Sequence, residues 1–364
     1  MAVVGTRPEA IKTAPVLHAL AARGLSPLVL LTGQHPALEP ADYGLDRFAT
    51  ERLGCPGQPD PLRHAEAVAS AAGPVVAGSD LVIVQGDTSS ALGGALAAFA
   101  ADVPVAHVEA GLRTHDRLQP WPEEDNRVTI DARAALLFAP TEVSAANLRA
   151  EGVPGTIHVT GNTAVDALRG LLGRVPVPHL TAVNERPRLL VTCHRRENWG
   201  AAFRPIAEAL LELARTCGVR IDVLLPPNGA VAAEMRAQLA GCYGIRLLAP
   251  LDHAGMIAAM RAATIVLSDS GGVQEEAPAL GVPLLVLREK TERPEGIATG
   301  NMRLVGSDAR AIVREVRRLL EDDYAFTAMA RPALPYGDGH AAERIAQVIT
   351  SWLSAGSQRD RLIA

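Results

Sequence analysis

Aromatic residues make up only 3% of this 364-residue chain, too few to build the stacking platforms that grip unpaired bases. Net charge is −5, and no long Lys/Arg cluster provides a local exception, so electrostatics argue against nucleic acid as a partner. The four cysteines, Cys55, Cys193, Cys217 and Cys242, form no CxxC pair. They read as reduced thiols of a cytosolic protein rather than a disulfide framework or a zinc site. No apolar stretch reaches about 18 uncharged residues, and the first residues lack the basic start and apolar core of a signal peptide. The expectation is a cytoplasmic protein with no membrane partner. There is no Ser/His/Asp triad motif, HExxH, GxGxxG or P-loop, so hydride transfer and NTP hydrolysis have no support. Solenoid repeats and low-complexity tracts are absent too.

What the chain does have is apolar content. At 48% hydrophobic residues it can fill two cores, and its length suits two domains. Short β-branched or aliphatic runs recur: Pro27–Leu31, Leu81–Gln85, Val103–Val108, Leu136–Ala139, Thr156–Thr160, Leu189–Cys193, Ile221–Leu225, Ile245–Leu248, Ile265–Ser268 and Pro283–Leu287. A further, short strand, Met1–Val4, precedes Gly5. Helix-length segments such as Ser89–Ala101, Thr141–Glu151, Phe203–Cys217 and Ala309–Leu320 lie between them. Apolar strands alternating with helices predict parallel sheets covered on both faces, an α/β doubly wound fold. Pro176, Pro178 and Pro187 crowd a low-periodicity stretch and place a boundary between about Asp166 and Pro187. Two such domains facing each other would set the ends of both sheets around one cleft.

The most informative segment is Thr264–Glu276. Ile265, Val266 and Leu267 break at Asp269-Ser270-Gly271-Gly272, and Val273–Leu280 reads as helix. That order sets a hydroxyl and two glycines where unpaired helix N–H groups point outward, a ready phosphate site. Glu275 or Glu276, a turn further on, could accept hydrogen bonds from ribose hydroxyls. A bland strand–turn–helix junction would tolerate the same residues.

Other groups stand at strand ends. Gly5-Thr6-Arg7-Pro8 follows the first strand; Arg7 offers a bidentate fork for phosphate and Pro8 suits a first helical turn. Asp87 and Glu109 end two successive strands, and Glu123 arrives in a loop before a helix. Any one of these acids could be an N-cap or a loop ion pair. Three together would crowd one another, raise a pKa and equip the group for proton transfer near neutral pH. His194-Arg195-Arg196 stands where a diphosphate could lie, and Arg293 supplies another strand-end cation.

Eleven collinear blocks, GTRPEAIK (5–12), TGQH (32–35), QGDT (85–88), HVEAGLRT (107–114), PWPEEDNR (120–127), FAPTE (138–142), TGNT (160–163), HRREN (194–198), DSGGVQEEAP (269–278), TERPE (291–295) and PYGDGHA (335–341), resemble the non-hydrolysing UDP-N-acetylglucosamine 2-epimerases. The resemblance implies the two-domain GT-B class: a Rossmann-like domain over 1–166, completed by a returning segment 340–364, and a nucleotide-binding domain over 167–339. It implies interconversion of UDP-N-acetylglucosamine and UDP-N-acetylmannosamine by elimination of UDP to a 2-acetamidoglucal and re-addition. Asp87, Glu109, Glu123 and His194 would be catalytic. Arg7, Lys12, Arg113, Ser270, Gly271, Gly272, Glu276 and Arg293 would bind the UDP-sugar. No cofactor or metal is implied, and a homodimer is.

The chain departs from the family's pattern at Leu225-Pro226-Pro227-Asn228-Gly229, where members carry Pro-Val-His-x-Asn-Pro. It departs again after TGQH, at Pro36-Ala37-Leu38. Both regions belong to a second, activating substrate site in bacterial members, so the resemblance implies weak or absent activation here. At Leu251-Asp252-His253-Ala254 a Gln/Asp-Tyr-Leu run is usual near the nucleotide, which leaves base and sugar preference open. A hydrolysing epimerase would use a similar carboxylate set. A GT-B glycosyltransferase would need an acceptor site rather than three acids, and a nucleotide-sugar sensor would be expected to lose at least one of them.

Overall fold

Thirteen short strands and fourteen α-helices alternate among the described residues of a computed structural model, which covers 1–175 and 186–363 without the side chains of Arg196 and 356–363. Pro176 and Pro178, expected near a boundary, lie outside the described residues. The strands are β1 (Ala2–Val4), β2 (Leu28–Leu31), β3 (Ala49–Arg52), β4 (Val82–Gln85), β5 (Val105–Val108), β6 (Leu136–Ala139), β7 (Thr156–Val159), β8 (Arg188–Thr192), β9 (Arg220–Leu224), β10 (Ile245–Leu248), β11 (Ile265–Ser268), β12 (Leu284–Val286) and β13 (Met302–Leu304). The helices are α1 (Arg7–Ala22), α2 (Pro61–Val76), α3 (Ser89–Ala100), α4 (Glu123–Asp131), α5 (Glu142–Glu151), α6 (Thr163–Leu172), α7 (Arg204–Thr216), α8 (Gly229–Leu239), α9 (His253–Ala262), α10 (Gly271–Leu280), α11 (Glu295–Ala298), α12 (Ala309–Glu321), α13 (Asp323–Met329) and α14 (Ala341–Ile363).

The chain divides into two compact units, one of Met1–Arg169 with Tyr336–Ala364 and one of Gly170–Pro335. The first holds a seven-stranded parallel sheet in the order β3-β2-β1-β4-β5-β6-β7; the second holds a six-stranded parallel sheet, β10-β9-β8-β11-β12-β13. The α/β reading therefore holds, with two Rossmann-like sheets. In each sheet the first strand of the unit lies inside and the order reverses beside it, which is where doubly wound folds take their ligands.

Central strands bury every residue: β4, β5, β6 and β11 have no exposed side chain. Their unbroken apolar runs suit a sheet covered by helices on both faces. The two strands that the apolar pattern misses, β3 and β13, are sheet edges. All four residues of β3, Ala-Thr-Glu-Arg, are exposed, and the strand exists because it pairs in register with β2, Leu28 opposite Ala49 through Leu31 opposite Arg52. Tertiary pairing overrides a weak local preference there.

Helices close over the sheets by their apolar stripes. On α7, Ile206, Ala207, Ala209, Leu210, Leu213 and Ala214 are buried, a three-and-four spacing that turns one face to the core. The last helix returns to the first unit: Ala342, Ile345, Ala346 and Ile349 join Leu17 and Leu20 of α1 in one cluster. Asp166 anchors its start, accepting hydrogen bonds from the backbone N–H groups of Ala341 and Ala342 at 3.1 and 2.8 Å. No helix among the described residues is long and apolar enough to cross a membrane.

Candidate functional site

In the first unit the chemistry-bearing residues gather at the carboxyl ends of β1, β4 and β5. Thr6 caps α1 in a capping box with Glu9, the outcome that Thr6-x-x-Glu9 encodes. Glu9 is buried, and its carboxylate also accepts from the Gly5 N–H at 2.8 Å and from the Thr88 hydroxyl at 2.5 Å. Thr88 in turn caps α3, so one carboxyl ties together the starts of two helices. Burial raises the Glu9 pKa against these hydrogen bonds. Arg7, the first residue of α1, is half-buried; its charge adds to the burial that lowers the pKa of His35.

Glu109 follows β5 with φ at 71°, the left-handed region that side chains other than glycine rarely enter. Its carboxylate takes Lys12 Nζ at 2.6 Å and the Gln85 side-chain amide. Asp87, just past β4, accepts from the Arg127 guanidinium, whose Nε lies 3.1 Å away. The Asn126 amide holds the Asp87 carbonyl at 2.7 Å. Arg127 is one turn along α4 from Glu123, the first residue of that helix, and its Nη1 also meets Glu124 at 2.9 Å. One unit thus carries Asp87, Glu109, Glu123, Lys12 and Arg7.

Of these acids, Glu109 has Lys12 and Asp87 has Arg127 as an immediate partner, each cation supplied from a helix. One expectation is corrected. Arg113, expected to bind the substrate, is turned inward. Its Nε and Nη2 grip Glu151 at 2.7 Å each, and Nη2 also reaches Asp131 at 2.8 Å. Asp131 is wholly buried and takes His107 Nδ1 at 2.6 Å; His107 Nε2 meets the Gly86 carbonyl at 2.8 Å. Despite the cost of burial, the contacts with His107 and Arg113 keep the Asp131 pKa below its usual value. Arg113 therefore supports the loop beneath Asp87, with its donors spent on protein groups.

In the second unit, Asp269 organises the strand ends. It accepts from the backbone N–H groups of His194 and Arg195, both at 2.9 Å, and from the Asn198 amide at 2.9 Å. The loop after β8 is thereby tied to the turn after β11. The Trp199 indole holds the His194 carbonyl at 3.1 Å. Among the described residues His194 Nδ1 is buried without a hydrogen-bond partner, and burial lowers the pKa of the ring against the opposing charge of Asp269. Burial thus favours the neutral imidazole, a hydrogen-bonding group rather than a fixed cation.

Ser270 stands at the N-cap of α10 without using its hydroxyl for the cap, so that hydroxyl and the first N–H groups of the helix share one end. Helix α10 starts at Gly271, two residues earlier than the sequence pattern suggests. A side chain at Gly271 would sit 3.0 Å from the Arg293 guanidinium, and the close approach explains the glycine. Arg293 is nearly buried and held by two acids, Glu275 at 2.6 Å and Glu292. Glu292 is shared with Arg288 at 2.9 Å. Of the paired acids, Glu275 belongs to Arg293, whereas Glu276 meets His253 Nε2 at 2.6 Å. A side chain at Gly272 would meet only the Ser270 hydroxyl, at 4.0 Å.

Sequence reasoning assigned no role to Asp269, Arg127, Gln85, Asp131 or His253, although each sits in or beside a block it singled out. A signal was present for Arg127, four residues after Glu123 and so on the same helical face. For Asp131 there was none, since its partners Arg113 and His107 lie on other elements.

The sequence profile of UDP-N-acetylglucosamine 2-epimerase matches residues 61–350. A UDP-N-acetylglucosamine 2-epimerase of Salmonella typhimurium is 40% identical, the match covering 97% of this chain and 98% of that protein. Another from Escherichia coli is also 40% identical, over 96% and 97%. Among solved structures, the Neisseria meningitidis UDP-GlcNAc 2-epimerase bound to UDP-GlcNAc superposes with a TM-score of 0.90 at 35% identity, covering 96% of this chain and 99% of that one. The Methanocaldococcus jannaschii enzyme in complex with UDP-GlcNAc and UDP gives 0.84 at 30%, over 96% and 99%. These neighbours share the GT-B-type pair of Rossmann-like domains, and the chain belongs to the UDP-N-acetylglucosamine 2-epimerase family, a family of isomerases.

Proposed function

We propose that the chain is a non-hydrolysing 2-epimerase that interconverts UDP-N-acetylglucosamine and UDP-N-acetylmannosamine. The observation that carries this reading is the paired setting of Glu109 and Asp87. Both stand at the ends of neighbouring parallel strands, each with its own cation, Lys12 or Arg127, in a chain of this family.

C2 of the sugar has no adjacent carbonyl to acidify its C–H bond. Elimination avoids that difficulty. A carboxylate takes the C2 proton, the electron pair forms the C1–C2 double bond, and the C1–O bond breaks with UDP leaving as the anion. Return of a proton to the opposite face of C2, with attack of a UDP oxygen on C1, gives the epimer. No atom is gained or lost, and no redox partner enters. The step needs two acid/base groups and stabilisation of the departing diphosphate. Asp87, Glu109 and Glu123 supply the first. Ser270, the N–H groups at Gly271 and Gly272, Arg293, Arg7 and the neutral His194 serve the diphosphate or the sugar, and Glu276 the ribose. Lys12 holds Glu109 in place.

Asn228 caps α8, accepting from Ala230 and Val231 N–H at 3.1 and 3.3 Å. The absence of a histidine from Leu225-Pro226-Pro227-Asn228-Gly229 supports the further reading that activation by a second substrate molecule is weak here.

Incubation with UDP-N-acetylglucosamine and no added cofactor, followed by separation of the nucleotide sugars, tests the proposal. UDP-N-acetylmannosamine is the expected product. Free N-acetylmannosamine with UDP would make the protein a hydrolysing epimerase, and a sugar transferred to an acceptor would make it a glycosyltransferase.

A further inference from the structure

Helix α9 begins at His253 because Asp252 caps it, accepting from the Gly255 N–H at 2.7 Å. As the first residue of the helix, His253 can reach across to α10, where its Nε2 lies 2.6 Å from Glu276 Oε1. The side chains are 15% and 8% exposed, so water competes little for the bond. The Glu276 Oε2 atom takes no hydrogen bond from another described residue. The adjacent acid differs: Glu275 is fully buried against Arg293. Of two neighbouring carboxylates, one is sealed inside against an internal arginine, and the other keeps some access to solvent and meets His253 through one oxygen.

We propose that His253 is a positioning residue for nucleotide recognition: it locks the Glu276 carboxylate so that Oε2, with the remaining lone pair of Oε1, accepts hydrogen bonds from a vicinal diol, the 2′- and 3′-hydroxyls of ribose. The inference rests on the reading that this unit holds UDP. A glutamate free to rotate loses side-chain freedom on binding, and one held in advance has already lost it. His253 thus acts on affinity for the diol without touching the sugar that reacts.

The test is calorimetric titration of the purified protein with UDP and with 2′,3′-dideoxy-UDP, using wild type, His253→Phe and His253→Gln. Phe keeps the ring's bulk and removes the donor; Gln keeps a donor at nearly the same distance. The expected result is that His253→Phe weakens UDP binding about tenfold, that His253→Gln recovers most of it, and that all three proteins bind the dideoxy nucleotide alike. Equal weakening of both nucleotides by His253→Phe would make the histidine a general structural support and overturn the inference. So would UDP binding by His253→Phe at wild-type strength. If wild type binds neither nucleotide, the reading of this unit as a UDP site fails, and the inference fails with it.

Discussion

Lys12 Nζ lies 2.6 Å from Glu109 Oε2, an ion pair formed by two nearly buried side chains, one on α1 and one just past β5. Removing the cation takes its ion-pair partner from a nearly buried carboxylate. Lys12→Ala is therefore expected to cost about 3 kcal/mol of stability, read as a lower urea midpoint. Misplacement of Glu109 by even an ångström should lower kcat about a hundredfold. Unchanged stability would mean that the pair does not form in solution.

Asp131 carries the opposite expectation. It holds His107 and Arg113 inside the first unit. Asp131→Asn should destabilise the fold by about 3 kcal/mol while the dissociation constant for UDP stays within about twofold, a separation between stability and binding. Loss of UDP affinity in a folded variant would return Arg113 to the substrate.

Much of the fold was legible because buried parallel strands announce themselves: β6 and β11 match their apolar runs residue for residue. β3 was not, because an exposed edge strand needs no apolar residues and gains its hydrogen bonds from β2 alone. In the site, motif order brought attention to Asp87, Glu109 and Ser270, since strand ends and helix starts are local properties. What could not be read was which cation meets which acid. Lys12 and Glu109 are 97 positions apart, and only the sheet order brings β1 and β5 to either side of β4. Arg113 shows the same limit in reverse: a motif arginine looks available until its partners on α4 and α5 are placed.

Gly271 faces Arg293. A methyl group there would come within 3.0 Å of the guanidinium, pushing it away from the helix start. Gly271→Ala should still fold, the better helix propensity of alanine offsetting part of the cost of displacing Arg293 from Glu275 and Glu292. It should bind UDP about tenfold more weakly, as titration would show. Full affinity would remove Arg293 from the diphosphate.

His194 titrates below its usual pKa of 6.5 because burial disfavours its charged form, while Asp269 partly opposes the shift. Asp269→Asn removes that opposing charge, so the pKa should fall further, visible in the imidazole resonances as pH is lowered. The unfolded chain protonates at this site more readily than the native one. His194 therefore withdraws stability as pH falls from about 6.5 through its folded value and withdraws none above pH 7. A rise in the His194 pKa on Asp269→Asn would contradict this electrostatic account.

The central claim, epimerisation by elimination and re-addition, is tested most directly by proton NMR of the protein with UDP-N-acetylglucosamine in deuterated water. The expected result is UDP-N-acetylmannosamine carrying deuterium at C2, formed with no added cofactor and lost in Glu109→Gln. Epimer that retains the original proton at C2, or free N-acetylmannosamine released with UDP, would contradict it.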